Sequence, residues 1–202
     1  MPNLKKISKK IFFISILILS AITIGFWGWQ KTRIRGNPND YIVKETIEGK
    51  VIENEKAGLI IKVPEGWEME KAELQEGGIS FYFNGSKSRL ENGQINLPLE
   101  KGCMVGTEIV YEKLNFKELE NEARFAHTTL GGKIDKFKII FISDHEALEN
   151  AFELYRYGPG IGVYIPIGNH ICAFYLYWAV GQKENCVQEF NKFLETLSIT
   201  SF

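Results

Sequence analysis

Apolar positions along this chain follow three rhythms. From Ile11 to Gln30 (IFFISILILSAITIGFWGWQ) they are nearly continuous, and none of the 20 residues is charged. At a rise of about 1.5 Å per residue such a helix spans about 30 Å, the thickness of a bilayer's hydrocarbon core. Trp27 and Trp29 stand at its C-terminal edge, where amphipathic rings favour the headgroup layer. Residues 11–30 are therefore read as a transmembrane helix. The nearest small-residue patterns, Ala21-Ile22-Thr23 and Thr23-Ile24-Gly25, suit signal peptidase poorly, so a retained signal anchor is expected. Lys5, Lys6, Lys9 and Lys10 form a basic segment, residues 1–10, which favours a cytoplasmic N-terminus. Residues 31–40, basic and then turn-rich, read as a linker, and residues 41–202 as one extracytoplasmic domain.

The second rhythm has a period of two and predicts strands. Leu59 to Val63 ends at the turn Pro64-Glu65-Gly66, after which Trp67 to Glu70 alternates. Ser80 to Phe83 stops at Asn84-Gly85, and Cys103 to Tyr111 places Cys103, Val105, Thr107, Ile109 and Tyr111 on one face. Phe137 to Ile142 is an apolar run followed by the turn Ser143-Asp144-His145-Glu146, with a further strand near 149–157. The clearest unit is a hairpin over 161–180. A two-residue turn at Gly168-Asn169 would pair Ile165 with Cys172, Val163 with Phe174 and Ile161 with Leu176. All six then share a face, and Tyr164, Tyr175 and Tyr177 share the other.

The third rhythm is helical. Asn115 and Glu118 form a capping-box pattern, and Phe116, Leu119, Ala123, Ala126 and Leu130 follow at helical spacing until Gly131-Gly132. A second helix is expected from about Lys183 to Leu197, with Val187, Phe190, Leu194 and Leu197 along one stripe. Two helices among mostly hairpin-linked strands predict an α+β domain, a mostly antiparallel sheet packed by helices.

Charge narrows the partners. The formal net charge of −1 hides an asymmetry: residues 1–36 hold seven cations and no acid, leaving 17 cations against all 25 acids in residues 37–202. An acidic body argues against nucleic acid, whose phosphates need Lys and Arg.

Candidate chemistry is sparse. Cys103, Cys172 and Cys186 allow one disulfide in three pairings with one thiol left over, and no CxxC exists. His145-Glu146-Ala147-Leu148-Glu149 has Glu149 where a zinc protease carries its second histidine, so no metal site is assigned. His127 falls late in the first helix of the domain, where a cation suits the negative helix end, and His170 follows the hairpin turn. Gly158-Pro159-Gly160-Ile161-Gly162 opens a strand and not a helix, which suits a turn better than a phosphate cradle. No motif implies a cofactor, and no nucleophile–base–orienter set is visible. Tyr164, Tyr175 and Tyr177 are the candidate ligand-binding face, unless a helix layer covers them.

The order of these pieces resembles the PsbP-like fold, an α/β/α sandwich of photosystem accessory proteins and many bacterial envelope proteins. The resemblance rests on Ile60-Ile61-Lys62-Val63-Pro64-Glu65-Gly66-Trp67, the helix after Asn115, the hairpin through Ser143-Asp144-His145-Glu146, and the close Phe190 to Ile199. It implies an accessory or binding module and carries over no catalytic residue. The sequence thus points to a single-pass envelope protein, held in the lipid bilayer through residues 11–30, whose outer domain binds an envelope protein or small-molecule ligand without catalysis. The alternatives are an envelope hydrolase built from His145, Glu146 and His170, or a structural subunit of a membrane complex.

Overall fold

The computed structural model describes residues 36–47, 49–71, 78–83, 99–155 and 158–200. All fall within one compact unit, Arg35–Phe202. The predicted anchor at 11–30 lies outside the described residues; among them, no helix is long and apolar enough to cross a membrane.

Among the described residues, twelve strands form two antiparallel sheets. The smaller runs β1 (Ile42–Thr46), β2 (Gly49–Asn54), β3 (Leu59–Lys62) and β12 (Leu197–Ile199), paired in that order. The larger runs β4 (Trp67–Lys71), β5 (Ile79–Phe83), β6 (Cys103–Val110), β11 (His170–Trp178), β10 (Gly158–Ile167) and β9 (His145–Leu154). On the far edge of β9 lie β7 (Lys133–Ile134) and β8 (Lys138–Ile142). Among the described residues two helices pack with these sheets, α1 (Phe116–Thr129) and α2 (Lys183–Glu195).

The larger sheet is the middle layer, and residue parity decides what each of its faces meets. Phe81, Val105, Val163, Ile165, Phe174 and Leu176 point to an inner face. There they meet Phe190, Phe193 and Leu194 of α2 and Ile52, Leu59, Ile61 and Leu197 of the smaller sheet. Phe193 is fully buried, its ring 4.9 Å from Phe81, 5.8 Å from Trp67 and 6.0 Å from Phe174. Leu148, Tyr164, Ile171 and Ala173 point the opposite way, to a helix face where Leu119 and Ala123 of α1 pack on them. The α+β expectation of a mostly antiparallel sheet packed by helices therefore holds.

The β10–β11 hairpin has the register expected from its alternation, with Ile165 opposite Cys172, Val163 opposite Phe174 and Ile161 opposite Leu176. The capping box of α1 is also formed: Glu118 N donates to Asn115 Oδ1 at 3.0 Å, and Asn115 N donates to Glu118 Oε2 at 2.9 Å.

Several details differ from expectation. The Gly158-Pro159-Gly160 segment is strand and not turn. A side chain on Gly160 would run into the Phe152 ring and the Leu176 carbonyl, so the glycine is required by close packing inside the sheet. His145 begins β9 instead of lying in a turn; Ser143 and Asp144 alone turn the chain, both at positive φ (47° and 66°), as a tight two-residue hairpin demands. In α1 the buried stripe is Leu119, Ala123 and His127, with Ala126 and Leu130 exposed. The second helix ends at Glu195, and Leu197 belongs to β12.

Candidate functional site

Period-two alternation carries five residues across the helix face in one row. Registers place Asn150 opposite Gly162, Gly162 opposite Tyr175, Tyr175 opposite Gly106, and Gly106 opposite Ser80. The two glycines flank the Tyr175 ring differently. Around Gly162 the space is taken: a Cβ there would sit 2.8 Å from the Tyr164 hydroxyl and 3.1 Å from Asn150 Oδ1. Above Gly106, among the described residues, nothing lies within 4 Å of where a side chain would begin.

The three candidate tyrosines do share this face, but not one environment. Tyr164 is buried, only 4% exposed, under α1, and its ring meets Tyr175 edge-on at 5.7 Å. Its hydroxyl makes no hydrogen bond of good geometry, the phenol of Tyr175 being its polar neighbour. Burial raises its pKa far above the ordinary phenol value, with the Glu108 carboxylate adding to the effect. It therefore remains a neutral donor. Tyr175 is half-buried and its hydroxyl lies 3.4 Å from Glu108 Oε2. Tyr177 is half-buried as well, against Phe152 and the small cluster of Leu99, Met104 and Ala179.

Asn150 and Glu108 were not singled out by the sequence. Asn150 is 1% exposed, its Oδ1 lacks a hydrogen-bond partner among the described residues, and its Nδ2 donates to the Ala151 carbonyl at 3.2 Å. Its place on the tyrosine side of β9 was available from strand parity, had the β9–β10 register been known.

The remaining candidates lie elsewhere. Cys103 and Cys186 form a disulfide with a Cα–Cα distance of 5.6 Å, tying the start of β6 to α2. Cys172 is the leftover thiol, buried on the inner face, and burial pushes its pKa up to about 12, so it is not a ready nucleophile. His127 is buried, with Nδ1 2.7 Å from the Ala123 carbonyl, and desolvation lowers its pKa; it serves as a neutral packing residue rather than a cation at the helix end. His170 is also buried and its pKa lowered by desolvation, and Nε2 lies 3.0 Å from the Ala57 carbonyl. No hydrogen bond joins it to His145 or Glu146 among the described residues. Nor do any three His, Cys, Asp or Glu side chains among the described residues gather in metal-binding range. What the helix face offers chemically around Tyr175 is aromatic surface, a neutral phenol donor, an amide acceptor and the Glu108 carboxylate.

A middle sheet with α1 on one face and α2 on the other defines the architecture as PsbP-like. CyanoP, the PsbP protein of the cyanobacterium Synechocystis sp. PCC 6803, matches at a TM-score of 0.50 and 10% identity, over 79% of this chain and 92% of that one. A Pseudomonas aeruginosa protein of unknown function matches at 0.46 and 13%, over 80% and 99%. LpqN of Mycobacterium tuberculosis, involved in cell envelope biogenesis, matches at 0.45 and 10%, over 70% and 83%. No protein-family model and no curated protein sequence matches the chain.

Proposed function

We propose that this protein is a membrane-anchored binding module of the cell envelope, held by residues 11–30 with its PsbP-like domain outside the cytoplasm. The carrying observation is the Cys103–Cys186 disulfide in a chain whose N-terminal region holds a 20-residue uncharged apolar segment. Disulfides persist in oxidising compartments and are rare among reduced cytosolic proteins. The module binds without covalent chemistry: its free thiol is buried and protonated, and the helix-face tyrosine at its centre stays neutral. Tyr175, Tyr177 and Glu108 are the groups offered to a ligand or envelope partner, with Tyr164 and Asn150 buried behind them.

The test uses the full chain in intact cells. Tyr155 is 88% exposed, so Tyr155→Cys provides a surface reporter. A membrane-impermeant maleimide should modify it without lysis. Alkylation of the denatured native chain should modify Cys172 alone before reduction, and all three cysteines after it. Labelling confined to lysed cells, or three free thiols before reduction, overturns the proposal.

A further inference from the structure

Edge strands of natural sheets are usually protected, since an unpaired row of N–H and C=O groups is a template for another chain. β8 departs from that rule. Among the described residues it pairs only with β9, yet Ile139 is 57% and Phe141 70% exposed on its helix face. Ile140 and Ile142 on the opposite face pack into the core.

Backbone geometry fixes which groups of β8 are available. The two-residue turn at Ser143-Asp144 makes Ile142 and His145 a hydrogen-bonded pair. Alternation then aims the N–H and C=O of Ile140 at β9, and those of Ile139 and Phe141 away from the sheet. The two residues with exposed apolar side chains are thus the two whose backbone groups face outward.

We propose that β8 is a dimerisation edge, two copies of the chain pairing antiparallel about a two-fold axis at Ile140. In this register Ile139 lies opposite Phe141 of the second copy, and Phe141 opposite its Ile139. Each is a hydrogen-bonding pair with both side chains on one face. Charge agrees with the same register, because exposed Lys136 of one copy comes beside exposed Asp144 of the other. A slip of two residues one way sets Phe141 opposite Phe137, whose ring the Arg124 guanidinium already covers at 4.9 Å. A slip the other way sets Ile139 opposite Ser143. The contact is isologous, as a closed dimer requires. It joins the two larger sheets edge to edge, with both α1 helices on one side of the seam.

The full chain in detergent micelles should sediment as a protein dimer at micromolar concentration. A zero-length carbodiimide link should join Lys136 to Asp144 in mixtures of isotope-labelled and unlabelled chains. Within one copy these residues stand at opposite ends of β8, more than about 20 Å apart, so that link can form only between copies. Phe141→Lys should weaken association at least about ten-fold. The melting temperature should barely change, because the replaced side chain is exposed. A protein that stays monomeric overturns the proposal. So does a dimer that survives Phe141→Lys, or one whose cross-links exclude the Lys136–Asp144 pair.

Discussion

The two faces of the larger sheet are made by alternate residues of the same strands, and they differ sharply in chemistry. The inner face stacks Phe81, Phe174, Phe190 and Phe193 with Val105 and Ile165, all at most 1% exposed, and α2 is locked over it by the Cys103–Cys186 disulfide. The helix face carries Tyr164, Asn150, Glu108 and Tyr175, and three glycines, Gly106, Gly160 and Gly162. Stability is concentrated on one parity of residues, which leaves the other free to hold polar groups that a core would reject. α1 covers only part of this second face. The division explains how one sheet can be both a well-packed scaffold and a recognition surface.

Removing Phe193 tests the inner face most severely. Phe193→Ala empties a site in ring contact with Phe81, Trp67, Phe174 and Phe190, and should cost about 3–5 kcal/mol in urea unfolding. A cost below about 1 kcal/mol would mean that this face is not the core and that the comparison fails.

A smaller effect, with its sign set by burial, comes from His127 on the helix face. Its ring is buried 4.6 Å from that of Phe152, and desolvation holds its pKa below the ordinary value, against the opposing pull of the Ala123 carbonyl. An unfolded histidine titrates near about 6.5. In the window between the lowered folded value and that unfolded value, the unfolded chain binds more protons, so stability rises with pH. The urea midpoint should therefore drop as pH falls from about 7.5 to about 5.5. His127→Phe should flatten part of that slope, leaving the part due to His170, whose pKa burial lowers in the same way. An unchanged slope in His127→Phe would show that burial does not lower the His127 pKa in the fold.

Much of this division was legible in the sequence. Alternation on either side of Gly168-Asn169 allows one register in which Ile161, Val163, Ile165, Cys172, Phe174 and Leu176 all point inward, so Ile165, Cys172, Val163 and Phe174 were paired correctly. The cap of α1 needs only Asn115 and Glu118 at the right spacing. The smaller sheet was largely invisible. All five residues of β1 are exposed, so they show no burial rhythm, and β12 is three residues that continue the helical stripe of α2. His127 was misplaced because Ala126 fits the same stripe almost as well, and propensity favours alanine. The glycines of β10 looked like turn residues because the Phe152 ring that fills the space over Gly160 comes from another strand. The tyrosines were rightly put on one face. How far α1 reaches over that face depends on helix placement, which no local pattern encodes.

The smallest expected effect also has the unusual sign. Tyr164 and Phe193 are both buried aromatics on opposite faces, and truncating the hydroxyl of Tyr164 removes one atom, not a ring. Because that hydroxyl lacks a well-formed hydrogen bond, it contributes desolvation cost with little return. Tyr164→Phe leaves the ring contact with Tyr175 in place and should stabilise the domain by up to about 1 kcal/mol. A loss of about 1 kcal/mol would instead mean that the phenol donates a full hydrogen bond in solution.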